Sequence, residues 1–161
     1  MIILLMGVSG SGKSTIGKLL AQELNWLFAD ADAFHPPSNV EKMRQGTPLD
    51  DSDRQPWLQA LHCLINQWID SECDAILACS ALKATHRQML SPDRESVKLI
   101  YLRGSFELIQ ARLHQRQQHF MPVALLRNQF DTLEEPKDAL QIDISDSPAE
   151  IVRRIRGILG L

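Results

Sequence analysis

The residues at positions 7–14 read GVSGSGKS and fit the pattern G-x-x-x-x-G-K-[ST]. Those residue types in that order suit one task, the holding of a chain of phosphates. Glycines let the backbone curl until successive N–H groups point inward at phosphate oxygens, and the helix that follows adds its positive end. Lys13 reaches the β- and γ-phosphates, and Ser14 offers a hydroxyl to Mg²⁺ with Thr15 to assist. The expected nucleotide-binding set is therefore Gly7, Val8, Ser9, Gly10, Ser11, Gly12, Lys13, Ser14 and Thr15. Chance is a poor explanation, because the motif sits after an apolar run and opens a helical pattern, where its chemistry needs it.

A second group follows at DADAFHPP, positions 30–37. Strand ends face the phosphate site in sheets that carry such a loop, so Asp30 and Asp32 belong near the γ-phosphate. Two residues apart on extended backbone, they point to the same side. One carboxylate then serves Mg²⁺ or its water shell, and the other accepts a hydrogen bond from an acceptor hydroxyl as general base or orienter. The assignment drawn from this gives Asp30 to the metal with Ser14, and Asp32 to the acceptor. The plainer alternatives are a solvated turn or a cap for a helix near Asn39. His35, before Pro36, reads equally well as a turn residue or a substrate contact.

These groups need a scaffold, and the rest of the chain supplies one. Strand-type apolar runs occupy residues 2–6, 26–30, 75–79, 97–102 and 140–144, with little polar alternation, as expected of strands covered on both faces. Helical spacing separates them. It appears at Ile16, Leu19, Leu20 and Leu24, and again from Trp57 through Leu61, Ile65 and Trp68 to Ile69, with Asp53 and Pro56 fitting that helix's start. Residues 106–116 and 148–159 form two more helices. Alternation of this kind makes an α/β, three-layer fold: a parallel five-stranded sheet with helices on both faces. Residues 36–54 and 117–136 resist the pattern. The first is polar and turn-rich, and the second is an insertion with one short helical patch at 124–129.

With 161 residues, 44% of them hydrophobic, the chain suits one domain, residues 1–161, with an acceptor-binding segment at about 32–54 and a lid at about 117–136. A net charge of −3 with mixed signs gives no electrostatic case for nucleic acid or an anionic membrane as partner. Cys63, Cys73 and Cys79 lack metal-ligand spacing and read as structural thiols of a reducing compartment. The opening MIILLM is too short for a membrane span and lacks the basic flank of a signal peptide, so the expectation is a cytoplasmic protein. No Asn-Lys-x-Asp guanine-reading motif occurs, and motor ATPases are generally larger. A kinase for a small acceptor is the reading that remains, ahead of a module that binds nucleotide without an acceptor.

Beyond these residue-level arguments, the chain resembles the gluconokinases of the thermoresistant or bacterial type, P-loop kinases related to shikimate and nucleoside-monophosphate kinases. The resemblance runs through GVSGSGKST, DADAFHPPSNVEKMRQGTPLDDSDRQPWL, CSALKATHRQML, YLRGSFELIQARLHQRQQHFMP and LLRNQFDTLEEP. It implies ATP-dependent phosphorylation of D-gluconate at its C6 hydroxyl, with Mg²⁺, giving 6-phospho-D-gluconate and ADP, and a homodimer. An open-chain polyol with one carboxylate needs cationic clamps, for which Arg54, Lys83 and Arg87 are available, Arg54 best suited to a bidentate grip. Asp32, His35, Lys42 and Ser80 are left for the hydroxyls. Arg112 and Arg116 share a helix face, and the resemblance implies Arg112 on adenine and Arg116 on transition-state charge. The family's usual Asp-Gly-Asp reads Asp30-Ala31-Asp32 here, its frequent Ser-Gln reads Asn128-Gln129, and His86 stands where Tyr is common.

Overall fold

Five apolar residues in a row, Ile2–Met6, form strand β1, and none is more than 1% exposed. Such a strand is stable only with neighbours on both edges and layers on both faces. The computed structural model, which describes residues 1–91, 95–115 and 123–161, supplies all four. After β1 come α1 (Lys13–Leu24), β2 (Leu27–Asp30), a 3₁₀ turn (Ala31–Phe34), α2 (Pro37–Arg44) and α3 (Asp51–Asp70). Then follow β3 (Ala75–Ala78), α4 (Ala84–Leu90), β4 (Val97–Arg103), α5 (Phe106–Gln115), α6 (Val123–Thr132), β5 (Leu140–Asp143) and α7 (Pro148–Leu159). The strands pair in the order β2-β3-β1-β4-β5, all parallel.

Side chains of β1 alternate between two cores, as the period of two requires. Ile3 and Leu5 enter one layer with Ile16 and Leu20 of α1, Ile109 of α5 and Ile151 and Ile155 of α7. Ile2, Leu4 and Met6 enter the other with Trp57, Leu61 and Ile65 of α3 and Leu90 of α4. Each fully buried Leu or Ile contributes about 1.5–3 kcal/mol, so β1 anchors both layers at once. Leu5 pairs with Ala78 and Met6 with Tyr101, which aligns the ends of the three central strands. The chain crosses from β3 over β1 to β4 at that edge, which makes it the switch point where ligands bind in such sheets.

The sheet, its direction and four of the helices match the sequence reading, and three segments differ from it. Residues 36–54 are not simply a turn-rich stretch, because α2 lies within them and α3 begins at Asp51, before the expected start. That start is set by a reciprocal cap: the Asp53 N–H donates to Asp50 Oδ1 at 2.7 Å, and the Asp50 N–H donates to Asp53 Oδ2 at 3.0 Å. Pro56 therefore falls inside the helix. Residues 84–90, given no element in the sequence reading, form α4, and the helical patch at 124–129 extends to Val123–Thr132. Cys63, Cys73 and Cys79 are free thiols, and burial pushes the Cys79 thiol up to about 12, which leaves it inert. Among the described residues no helix is long and apolar enough to cross a membrane.

Candidate functional site

The phosphate loop connects β1 to α1, and its backbone has the conformation that only glycine adopts freely. Gly12 caps α1 with φ 96°, and Gly10, at φ 81°, has Leu113 Cγ 2.9 Å from where a Cβ would sit. Either position with a side chain would distort the cradle. Lys13 Nζ donates to the carbonyls of Gly7 and Val8 at 2.9 and 3.0 Å, which keeps its ammonium against the loop. Ser11 is fully buried, and its Oγ has no hydrogen-bond partner among the described residues. A buried hydroxyl without a partner is costly, which marks the loop as a place shaped for more than packing.

Asp30 ends β2 and does two things at once. Its Oδ2 accepts from Ser14 Oγ at 2.5 Å, and its Oδ1 accepts from the Asp32 N–H at 3.1 Å. The second bond caps the 3₁₀ turn, so Asp32 is not on extended backbone. The expectation that both carboxylates share one strand face gives way to a different geometry: one closes the strand and the other sits in the first turn after it. The cap alternative holds in part, for the turn after β2 and not for the helix at Asn39. Ser14 and Asp30 place a hydroxyl and a carboxylate side by side, a hard-oxygen pair that fits Mg²⁺, which keeps most of its waters. Among the described residues no group of three or more His, Cys, Asp or Glu could hold a metal unaided.

Past the turn, polar groups gather between α2, α3 and the β3–α4 loop. His35 stacks on Trp57 with ring centroids 4.5 Å apart, and Trp57 Nε1 donates to Ala31 O at 2.7 Å. Asn39 Nδ2 donates to Asp53 O at 2.7 Å, which fixes the amide's orientation, and lies 3.3 Å from His35 Nδ1. Nδ1 is thereby the acceptor, and the neutral ring carries its proton on Nε2. Burial holds the His35 pKa below its ordinary 6.5, opposed by Asp32 and aided by Arg54. His86, only 8% exposed, is lowered by burial, then by Arg54 and Lys83. Asp32 and Arg54 thus act on His35, and Arg54 and Lys83 on His86, so Arg54 links the two histidines.

The expected acceptor residues differ in what they hold. Arg54 makes no side-chain hydrogen bond or ion pair among the described residues, and its charge acts on His35, Asp51 and His86. Lys83 donates to Asp51 Oδ1 at 2.8 Å, and the Ser80 carbonyl accepts from the Gly7 N–H at 3.4 Å. Lys42 is committed to both oxygens of Asp53, at 2.7 and 2.8 Å. Arg87 is buried, and its Nη1 donates to the carbonyls of Ala81 and Leu82 at 3.0 and 2.9 Å. That guanidinium therefore holds the loop that carries Ser80 and Lys83.

On the opposite side of the phosphate loop, a cavity of about 310 Å³ is lined by Gly10, Gly12, Thr15, Arg112, Asp146 and Pro148. Arg112 donates through Nη2 to the Ile144 carbonyl, which fixes its plane at the cavity wall. Arg116 and the first part of the expected lid, residues 117–122, lie outside the described residues. The sequence reading missed Gln129. Its Oε1 accepts from the Ser9 N–H at 2.7 Å across 120 residues of chain, and no local pattern announces such a partner.

Known proteins resemble this chain in sequence and in fold. The family model described as Shikimate kinase matches residues 9–155. The thermoresistant gluconokinase of Escherichia coli is 43% identical over 153 residues, covering 92% of this chain and 87% of that protein. The gluconokinase of Gluconobacter oxydans is 43% identical over 136 residues, covering 84% and 76%. Among solved structures, a gluconokinase from Sinorhizobium meliloti superposes with a TM-score of 0.83 at 39% identity, over 98% of this chain and 94% of that one. Shikimate kinase from Aquifex aeolicus, at 22% identity and a TM-score of 0.61, shares the fold.

Proposed function

We propose, from the premise that this chain belongs to the gluconokinases within the shikimate kinase family, that it phosphorylates D-gluconate at the C6 hydroxyl with ATP. The observation that carries the reading is the pairing of a glycine-built phosphate cradle with the cluster of Asp32, His35, Arg54, Lys83 and His86 one loop away. The C6 oxygen attacks the γ-phosphorus, an O–P bond forms, and the bond from that phosphorus to the oxygen retained by ADP breaks. Asp32 receives or orients the departing hydroxyl proton. Lys13 and the loop N–H groups take the negative charge that builds on the transferring group. Ser14 and Asp30 would hold Mg²⁺, which supplies charge neutralisation to the β- and γ-phosphates.

Arg54 grips the gluconate carboxylate, because its guanidinium is uncommitted among the described residues while Lys42 and Arg87 are spent on Asp53 and on loop carbonyls. Lys83, Ser80 and the Nε2–H of His35 serve the hydroxyls. Arg87 and Lys42 act through what they hold. Arg112 flanks the adenine cavity, and Arg116 is assigned to the transferring phosphate. We further propose a cytoplasmic homodimer, a single kinase domain over residues 1–161 and a lid at about 117–136, on the resemblance to gluconokinases.

An ADP-release assay over gluconate, idonate, shikimate and nucleoside monophosphates tests the reading. Gluconate should stimulate turnover far above basal hydrolysis; stimulation by shikimate or a nucleotide alone would move the chain to another branch of the family. Arg54→Ala should raise the KM for gluconate at least tenfold with little change in that for ATP. A rise confined to ATP would transfer the arginine to the other pocket.

A further inference from the structure

The segment from Gln129 to Glu135 touches both halves of the site. Gln129 Oε1 accepts from the Ser9 N–H at 2.7 Å, and its Nε2 lies 3.5 Å from Ser9 Oγ. A few residues later the Glu134 N–H donates to the Leu82 carbonyl at 3.0 Å, and Glu134 Oε2 accepts from the Ala84 N–H at 2.7 Å. Those two bonds bracket Lys83. Glu135 Oε1 then accepts from Tyr101 Oη at 3.3 Å, which ties the segment to the end of β4.

Although it falls within the span proposed as a lid, this end of that span is anchored by packing. Leu126 is buried in the core, Phe130 packs edge-on against Phe106 of α5 at 5.5 Å, and the Arg127 guanidinium lies 4.8 Å over the same ring. The acceptor loop needs the help. Ala81 has φ 43°, a conformation that an alanine holds only when its surroundings impose it. Arg87 binds the carbonyls of Ala81 and Leu82 from inside the fold, and Glu134 binds Leu82 and Ala84. The direct link between the two loops, Gly7 N–H to Ser80 O, is long at 3.4 Å.

We propose that Gln129 and Glu134 are positioning residues, the two ends of a strut that sets the phosphate loop against the acceptor loop and couples nucleotide binding to gluconate binding. The proposal rests on the functional reading above for the identity of the two ligands, and on geometry alone for the strut. Neither residue is assigned to a substrate. An ångström of misplacement between reacting atoms costs on the order of a hundredfold in rate, so a strut of this kind acts on kcat.

Steady-state kinetics on the full chain tests it with Q129A, E134A, E134Q, the double variant Q129A/E134A and, as control, exposed Asn128→Ala. Q129A and E134A should each lower kcat about tenfold or more and abolish the dependence of the gluconate KM on ATP concentration. E134Q keeps an acceptor for the Ala84 N–H and should restore most of the rate. A strut severed at one end is already severed, so the double variant should lose no more than the worse single; losses that multiply would overturn the proposal. Hydrogen exchange reads the same link without turnover. In Q129A the Ala84 amide should exchange at least tenfold faster although its own acceptor is intact, and unchanged exchange there would also overturn it. Should Q129A not fold, Q129N, one methylene shorter, carries the same comparisons. A wild-type chain that gluconate fails to stimulate would defeat the functional reading and leave the exchange experiment to judge the strut.

Discussion

Asp30 and Asp32 differ by where β2 ends, and substitution can separate their roles. Asp30 accepts from both Ser14 and the Asp32 N–H, so Asp30→Asn keeps an acceptor for the cap and loses the charge. Its Mg²⁺ requirement should rise about tenfold with little loss of stability, whereas Asp30→Ala should lose about 1 kcal/mol as well. Asp32→Asn should lower kcat about a hundredfold and leave the KM for ATP alone. A Mg²⁺ titration of activity, with urea melts alongside, checks all three. Turnover in Asp32→Asn equal to wild type would remove its role. Both acids, and the roles proposed for them, could be nominated from the sequence because the phosphate motif lies upstream. Their relative geometry could not be read there, since alternation along a strand says nothing once the strand stops, and the hydrogen bond from the Asp32 N–H to Asp30 shows that it does. The two histidines carry a pH consequence of the same local kind. Burial and Arg54 hold His35 and His86 below the ordinary 6.5, while Asp32 and Asp51 oppose them and Lys83 and Arg87 reinforce the lowering at His86. The unfolded chain therefore binds protons that the folded chain refuses. Stability should be level above about pH 6.5 and fall as pH drops below it towards the folded-state values. Urea midpoints at pH 7.5 and 5.5 should differ in the wild type and differ less in H35Q/H86Q.

At the scale of elements, the strands were legible and α2 was not, for opposite physical reasons. β1 and β3 are buried on both faces, so composition alone marks them. α2 carries no apolar stripe; Val40 and Met43 are exposed, and its single buried residue is Asn39. What seats it is polar and long-range. Asn39 donates to the Asp53 carbonyl, and Lys42 donates to both Asp53 carboxylate oxygens. Asp53 also completes the cap of α3, so one side chain joins the start of α3 to α2. Asp53→Ala should accordingly lower the urea midpoint more than Lys42→Ala does. It should also raise hydrogen exchange throughout residues 37–44, because the helix has little else to hold it. Equal effects of the two substitutions would show the cap to be idle. Because His35 reaches Asn39, the same substitution should raise the KM for gluconate more than that for ATP.

At the scale of the whole molecule, the proposed site lies along the ends of β3, β1 and β4, with one helical layer on each side of the sheet. In the proposed reading, nucleotide lies beside the core packed by α1, α5 and α7, and the acceptor beside α3 and α4 on the other face. Each ligand stabilises the folded chain by RT ln(1 + [L]/Kd), about 2.7 kcal/mol at a hundred times Kd. For a chain of this size that is a rise in Tm of roughly 5–10 °C. If the two regions were independent, the increments from a non-hydrolysable ATP analogue and from gluconate would simply add. They should instead exceed their sum, because the Gln129–Glu134 segment lets the first ligand order what the second needs. In Q129A the excess should vanish while each ligand alone still raises Tm. That pattern separates coupling from lost affinity, since a merely weakened phosphate loop would shrink the nucleotide increment and leave the excess in place. Lys13→Ala should do the reverse, cutting the nucleotide's own increment first.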